Sequence, residues 1–266
     1  MSEQILKALM QLFAIIARPE SNREDRRIVV ESFLKRQLNS ELVEEYLKVF
    51  DQYYLKHQEK QKEVGTRRRV ISASSVKVLK ICTEINEELA QNQKIIVLIR
   101  LLEFIKSDNS VISEQEMEFI KTVAETFNIP PDEFTRIQEF VLFPFDVIQD
   151  SEYVIIIDDK KGDEFAQLKT KHIIEEAMLG QIRVLSVPSS NMYFIRYIGV
   201  NEIYMNGQLI EQDKVYPFNY GSSIRNQQIN PIYYSDVVSR FTEDRIKSKI
   251  LFEVKNVEYK FKSGKK

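Results

Sequence analysis

The spacing of apolar residues changes once along the chain, near Asp150, and that change limits the architectures open to it. Up to Phe143 the apolar stripes recur every three or four residues, as helices packed on one face require. From Ser151 they alternate every second residue, the signature of strands. Glycine follows the same division. Gly65 is the single one before residue 143, and six follow residue 151. The segment Phe143-Pro144-Phe145-Asp146 lies at the junction. The expected fold class is therefore α+β, with an all-helical domain over 1–145 and a β-rich domain over 146–240.

Within the helical half, Ile5, Leu6, Leu9, Leu12, Phe13 and Ile16 share one helix face. Ser21 and Glu24 have the spacing of a capping box, and Ser40 opens a third helix. The charged stretch from His57 to Arg69 reads as a solvated connector, with a fourth helix from Ser72 to near Gln91. The opening apolar pattern then recurs: Leu98, Leu101, Leu102, Phe104 and Ile105 stand ninety-two positions after Leu6, Leu9, Met10, Leu12 and Phe13. The same offset relates Ser21 to Ser113, Glu24 to Glu116 and Ser40 to Asp132. A structural pseudo-repeat and ordinary helical patterning both account for this.

In the β half, strands are expected over 152–158, 181–187 and 192–198, followed by a hairpin at Asn206-Gly207. Both residues of a two-residue hairpin turn need positive φ, which Asn and Gly tolerate. Short strands at this spacing suggest a small sandwich. The aromatic residues Tyr216, Phe218, Tyr220, Tyr233 and Tyr234 would fill its core and rim, or form a partner surface.

Charge and motifs exclude several functions. The net charge of −2 offers no footprint for nucleic acid. One cysteine, Cys82, cannot form an internal disulfide and suits a reducing compartment. The start Met-Ser-Glu-Gln-Ile is unlike a secretory signal, and no run of eighteen apolar residues exists to insert in a membrane, so the cytoplasm is the expected location. There is no Gly-x-x-x-x-Gly-Lys-Ser/Thr, no Gly-x-Ser-x-Gly and no His-Glu-x-x-His. With two histidines, catalysis by residues 1–266 is not expected.

Three resemblances add to this reading. Leu101–Ile120, LLEFIKSDNSVISEQEMEFI, resembles the second acidic loop of the TerB (tellurite resistance) fold, with Asn109 in place of the family glycine and one residue inserted. The resemblance covers roughly residues 3–143 and implies metal binding by Asp108, Glu114 and Glu116, since hard cations want several oxygen ligands. The alternative is that Ser113 caps a helix and Glu116 completes the capping box. Asn201–Arg225, NEIYMNGQLIEQDKVYPFNYGSSIR, resembles the later part of a forkhead-associated (FHA) sandwich, with Ser222 where the family has aspartate. That resemblance implies phosphopeptide binding by Asn206, Ser223, Arg225 and Lys171, although the family's early Gly-Arg pair has no counterpart. For Asn206 the plainer role is that of a turn residue.

Finally, Ile250–Lys266, ILFEVKNVEYKFKSGKK, resembles the first two strands of the ATP-binding subunit of ABC transporters. Strands are expected at 251–254 and 257–261, forming a loosely attached hairpin, with 241–266 as linker and domain start. By this resemblance the chain is the non-catalytic N-terminal regulatory region of an ABC transporter ATP-binding protein. It would need no cofactor itself, with ATP and Mg bound by the ATPase part. Its partner would be another protein or the transporter's membrane subunit, at the inner face of the membrane. The alternatives are a phosphopeptide-binding adaptor and a metal-responsive TerB-like protein.

Overall fold

A computed structural model describes residues 3–16, 23–35, 38–63, 67–106, 112–147, 150–161, 165 and 167–242. Seven helices come first: α1 (Glu3–Ile16), α2 (Arg23–Lys35), α3 (Ser40–Glu63), α4 (Arg67–Glu88), α5 (Gln91–Lys106), α6 (Glu114–Thr126) and α7 (Pro131–Leu142). The strands follow, with helix α8 (Tyr234–Thr242) after the last. The chain is α+β, helices first and a mixed sheet region after them. The two expected strands between 250 and 261 lie outside the described residues.

Helix α5 is the hub of the helical region. Ile95, Val97, Leu98, Ile99, Leu101, Leu102, Phe104 and Ile105 are all buried, so it is enclosed on every side rather than on one face. Phe104 meets Phe13 of α1 and Phe50 of α3 at ring separations of 5.2 and 6.4 Å. Arg26 of α2 is buried against the same ring. Its guanidinium lies 4.8 Å over the Phe104 ring and donates to the Phe104 carbonyl.

The helix starts fall one residue short of the ninety-two-residue repeat spacing. Arg23 and Glu114, and likewise Ser40 and Pro131, stand ninety-one positions apart. The caps differ from expectation in detail. Asn39, one residue before Ser40, accepts the Leu42 amide at 3.0 Å, and Pro130 precedes α7, leaving Asp132 in its first turn. The charged connector is corrected too. Helix α3 continues to Glu63 and α4 begins at Arg67, not at Ser72. Lys, Glu and Gln are strong helix formers, so a charged run without apolar periodicity still propagates a helix already nucleated.

One sheet has the order β2-β1-β3-β4-β7: β1 (Val154–Asp158), β2 (Lys171–Ile174), β3 (Gly180–Val187), β4 (Met192–Gly199) and β7 (Val215–Pro217). Its β1–β2 pair is parallel and the others are antiparallel. The smaller sheet has the order β6-β5-β8-β9, from β5 (Tyr204–Met205), β6 (Gln208–Leu209), β8 (Ser223–Arg225) and β9 (Ile232–Tyr233). Alternation divides the larger sheet between two cores. Val154, Ile156, Leu185, Val187, Phe194 and Val215 join the helical core. Ile155, Ile157, Ile182, Val184, Ile195 and Tyr197 face Ile203, Ile224 and Ile232 of the second sheet region and Val237 and Phe241 of α8. Coverage of both faces explains why Val154-Ile155-Ile156-Ile157 is continuously apolar.

Charged residues fix this junction. Val215, on edge strand β7, gives its amide to Glu103 at 2.8 Å, and its carbonyl accepts from Arg100 at 3.1 Å. The α5 ion pair Arg100–Glu103 thus satisfies a strand edge that would otherwise stay bare. Arg183 and Arg196 are direct cross-strand neighbours on β3 and β4, an arrangement that repels unless something intervenes. Here the Phe145 ring does, 4.4 Å from one guanidinium and 4.8 Å from the other.

The two arginines also serve carbonyls at the end of α7 and just beyond it. Arg196 donates to Phe140 and Phe143 at 2.7 Å each, while Arg183 donates to Val147 at 2.7 Å and to Phe145. Carbonyls at a helix C-terminus carry partial negative charge and lack helical partners, so cations suit them. Burial, with the Arg196 charge next, lowers the Arg183 pKa to about 10.

Asp213 is the carboxylate at the centre of this cluster, paired with Lys106 at 2.7 Å and with Arg196. Burial pushes its pKa up, but the hydrogen bond from Lys106 and the charges of Arg196 and Lys106 outweigh this and hold it below the ordinary carboxylate value. Lys106 is itself lowered by burial, with Asp213 opposing. A depressed carboxylate contributes stability above its unfolded pKa and loses it as pH falls through the folded one. Stability measured by urea unfolding is therefore expected to decline below about pH 4. Asp213→Asn should be less stable near neutrality and show a shallower acid decline. Parallel pH profiles for the two proteins would contradict this role.

Candidate functional site

The hairpin β5–β6 turns at Asn206 (φ 54°) and Gly207 (φ 83°), both in the left-handed region that this turn needs. Asn206 does more than turn. Its side-chain Nδ2 donates to Ser222 Oγ and its Oδ1 accepts the Ser223 amide, both at 3.1 Å. Its backbone amide donates to the Ser223 carbonyl. Both ends of the Asn206 carboxamide are thus committed to the segment entering β8.

Beside this staple is a shallow groove of about 380 Å³ lined by Tyr204, Asn206, Gly207, Ser223, Arg225 and the loop at 226–227. Cross-strand register sets its chemistry. Tyr204 stands opposite Arg225, and Ser223 opposite Tyr233, so these side chains share the outward face of the smaller sheet. Arg225 Nε donates to Ser223 Oγ at 3.1 Å, and Nη2 reaches the Tyr233 hydroxyl at 3.5 Å. The guanidinium lies 5.4 Å from the Tyr233 ring.

Arg225 is exposed, and no carboxylate pairs with it among the described residues. Arg27, Arg100, Arg136 and Arg196 each have an acidic partner. A positioned guanidinium over an open groove can accept an anion with little reorganisation. At the rim, Tyr204 donates to Glu202 at 3.0 Å; this hydrogen bond and the Glu202 charge raise its pKa, which keeps the phenol protonated.

Three of the four residues expected to bind phosphopeptide therefore meet: Asn206, Ser223 and Arg225 line one groove. Lys171 does not join them. It lies on β2 of the other sheet and donates to the Arg240 carbonyl of α8. Its neighbour His172 is also elsewhere, bonded to Asp158 at 2.8 Å and stacked on Phe165. Tyr204 is not among the residues that the sequence points to, and Tyr233 enters only within the aromatic cluster that offers a core, a rim or a partner surface. The signal for Tyr204 lies two positions before the Asn-Gly turn, where alternation places it on the outer face; Tyr233 needed the β8–β9 register.

For the expected metal ligands, Ser113 and Glu116 form the reciprocal capping box of α6, with the Glu116 carboxylate accepting the Ser113 amide at 2.9 Å. Glu114 is exposed in the first turn, and Asp108 lies outside the described residues. No group of three or more His, Cys, Asp or Glu is placed to hold a metal among the described residues. Cys82 is buried, and burial pushes its thiol pKa up to about 12, which disfavours a thiolate nucleophile.

Comparison with known proteins bears on the helices. Residues 8–139 match the family profile described as Tellurite resistance protein TerB, nearly the full span of α1 to α7. The helical region is therefore TerB-like. No curated protein and no solved structure matches the chain. No helix among the described residues is long and apolar enough to cross a membrane.

Proposed function

We propose that this chain is a non-catalytic interaction region, in which a TerB-like helical body carries an FHA-like β-module that recognises a phosphorylated protein partner. The observation that carries this reading is Arg225, an arginine oriented by Ser223 and Tyr233 over an open groove with no carboxylate partner among the described residues. A phosphate oxygen would form a charge-assisted hydrogen bond there, stronger than the contact to the Tyr233 hydroxyl that it replaces. Ser223 and the Asn206 turn would hold that geometry. Titration with a degenerate phosphothreonine peptide mixture should give saturable binding that is lost on dephosphorylation. Equal binding of both forms would reject the reading.

In its finer form the proposal places this region at the N-terminus of an ABC transporter ATP-binding protein, at the cytoplasmic face of the membrane, where it receives a protein partner or the transporter's membrane subunit. The support is the strand pattern FEVKNVEYKF near the end of the sequence, which resembles the start of that ATPase. The longer protein should then carry a glycine-rich phosphate loop and hydrolyse ATP with Mg. Lack of ATP turnover in that protein would count against the finer form.

A further inference from the structure

We infer that the groove and helix α8 are one coupled element, so that an anion taking Arg225 loosens the seat of α8 and signals to the chain beyond Thr242. This rests on the anion-binding reading of the groove. Tyr233 ends β9, and α8 begins at the next residue, Tyr234. The Arg225–Tyr233 contact, at 3.5 Å, is at the outer limit of a hydrogen bond and is readily exchanged for a shorter charge-assisted one. A ligand that engages Arg225 therefore withdraws it from Tyr233. That supplies the differential contact that any shift between two states requires.

A second link runs through Ser222. Its carbonyl accepts the Tyr234 amide at 3.0 Å, one of the donors that a helix start leaves without a helical partner. Its hydroxyl accepts Asn206 of the groove at 3.1 Å. The turn staple and the first amide of α8 thus depend on the same serine. Helix α8 suits a responsive element. It has nine residues, too few for a stable helix in isolation, and holds its place through Val237, Phe241 and the Tyr234 ring packed on Tyr193 and Phe218. Ser235, Asp236, Ser239 and Arg240 lie on its exposed side.

The test is amide hydrogen exchange over 234–242 in the whole chain, with and without the phosphothreonine peptide mixture, and in ligand-free Arg225→Ala. Exchange should accelerate about fivefold on binding, the lower range of measured site-to-site coupling. Arg225→Ala should give the same change without ligand, and Tyr233→Phe a smaller one of the same sign. Binding to the wild-type chain with unchanged exchange over 234–242 overturns the coupling, as does unchanged exchange in ligand-free Arg225→Ala. If the mixture fails to bind while Arg225→Ala still accelerates exchange, the coupling stands and the anion reading alone falls.

Discussion

Arg196→Met will destabilise the protein by about 3 kcal/mol, lowering the thermal midpoint by roughly 6–12 °C. Methionine fills similar space but supplies none of the donors. Phe140 and Phe143 lose their 2.7 Å hydrogen bonds at the end of α7, and Asp213 keeps only Lys106. Arg196 is 2% exposed, so little water can replace it on those carbonyls. Asp213 is 41% exposed at its side chain, and water there recovers part of its loss. The Phe145 ring also loses one of its two guanidinium neighbours, which frees the segment between α7 and β1. Calorimetry of the two proteins measures the effect. A midpoint lowered by less than 2 °C would show that Arg196 does not secure the junction.

The second large effect is expected at Glu103. Arg100 and Glu103 are 8% and 7% exposed, and between them they satisfy both backbone groups of Val215. Glu103→Leu leaves a buried guanidinium without its carboxylate and a strand amide without an acceptor, at a cost of about 3–5 kcal/mol. Replacing both partners removes the stranded charge. Arg100→Met with Glu103→Leu should therefore recover part of that loss, although the Val215 amide and carbonyl both stay without these partners. Urea unfolding of the wild type, both single variants and the double variant gives the coupling directly. Additive single effects would mean that the two side chains do not act as a pair.

These residues also mark where the sequence stopped being legible. Alternation located β1, β3 and β4 to within two residues, and Asn-Gly located the β5–β6 turn. Apart from the β5–β6 hairpin, the strands of two to four residues, β2, β7, β8 and β9, are too short to show a period, and their partners are set by tertiary pairing. Arg183 and Arg196 alternate with apolar neighbours along β3 and β4, a pattern that does not by itself mark an arginine as buried. They are buried because helices cover that face of the sheet, a fact that lies in the packing of two regions rather than in either one. At the site, Asn206, Ser223 and Arg225 share one short stretch of sequence, so a local resemblance could bring them together. Lys171 belonged to a distant stretch, and only the strand order shows that it pairs into the other sheet.

The proposed recognition of a phosphorylated partner rests on one guanidinium, which makes a single comparison decisive. The affinities of the wild-type chain and Arg225→Ala for the same phosphothreonine peptide mixture should differ by at least about tenfold, the worth of one charge-assisted hydrogen bond. Arg225 is exposed, so the variant should keep the fold, which its far-ultraviolet circular dichroism would verify. Equal affinities for two equally folded proteins would contradict the account.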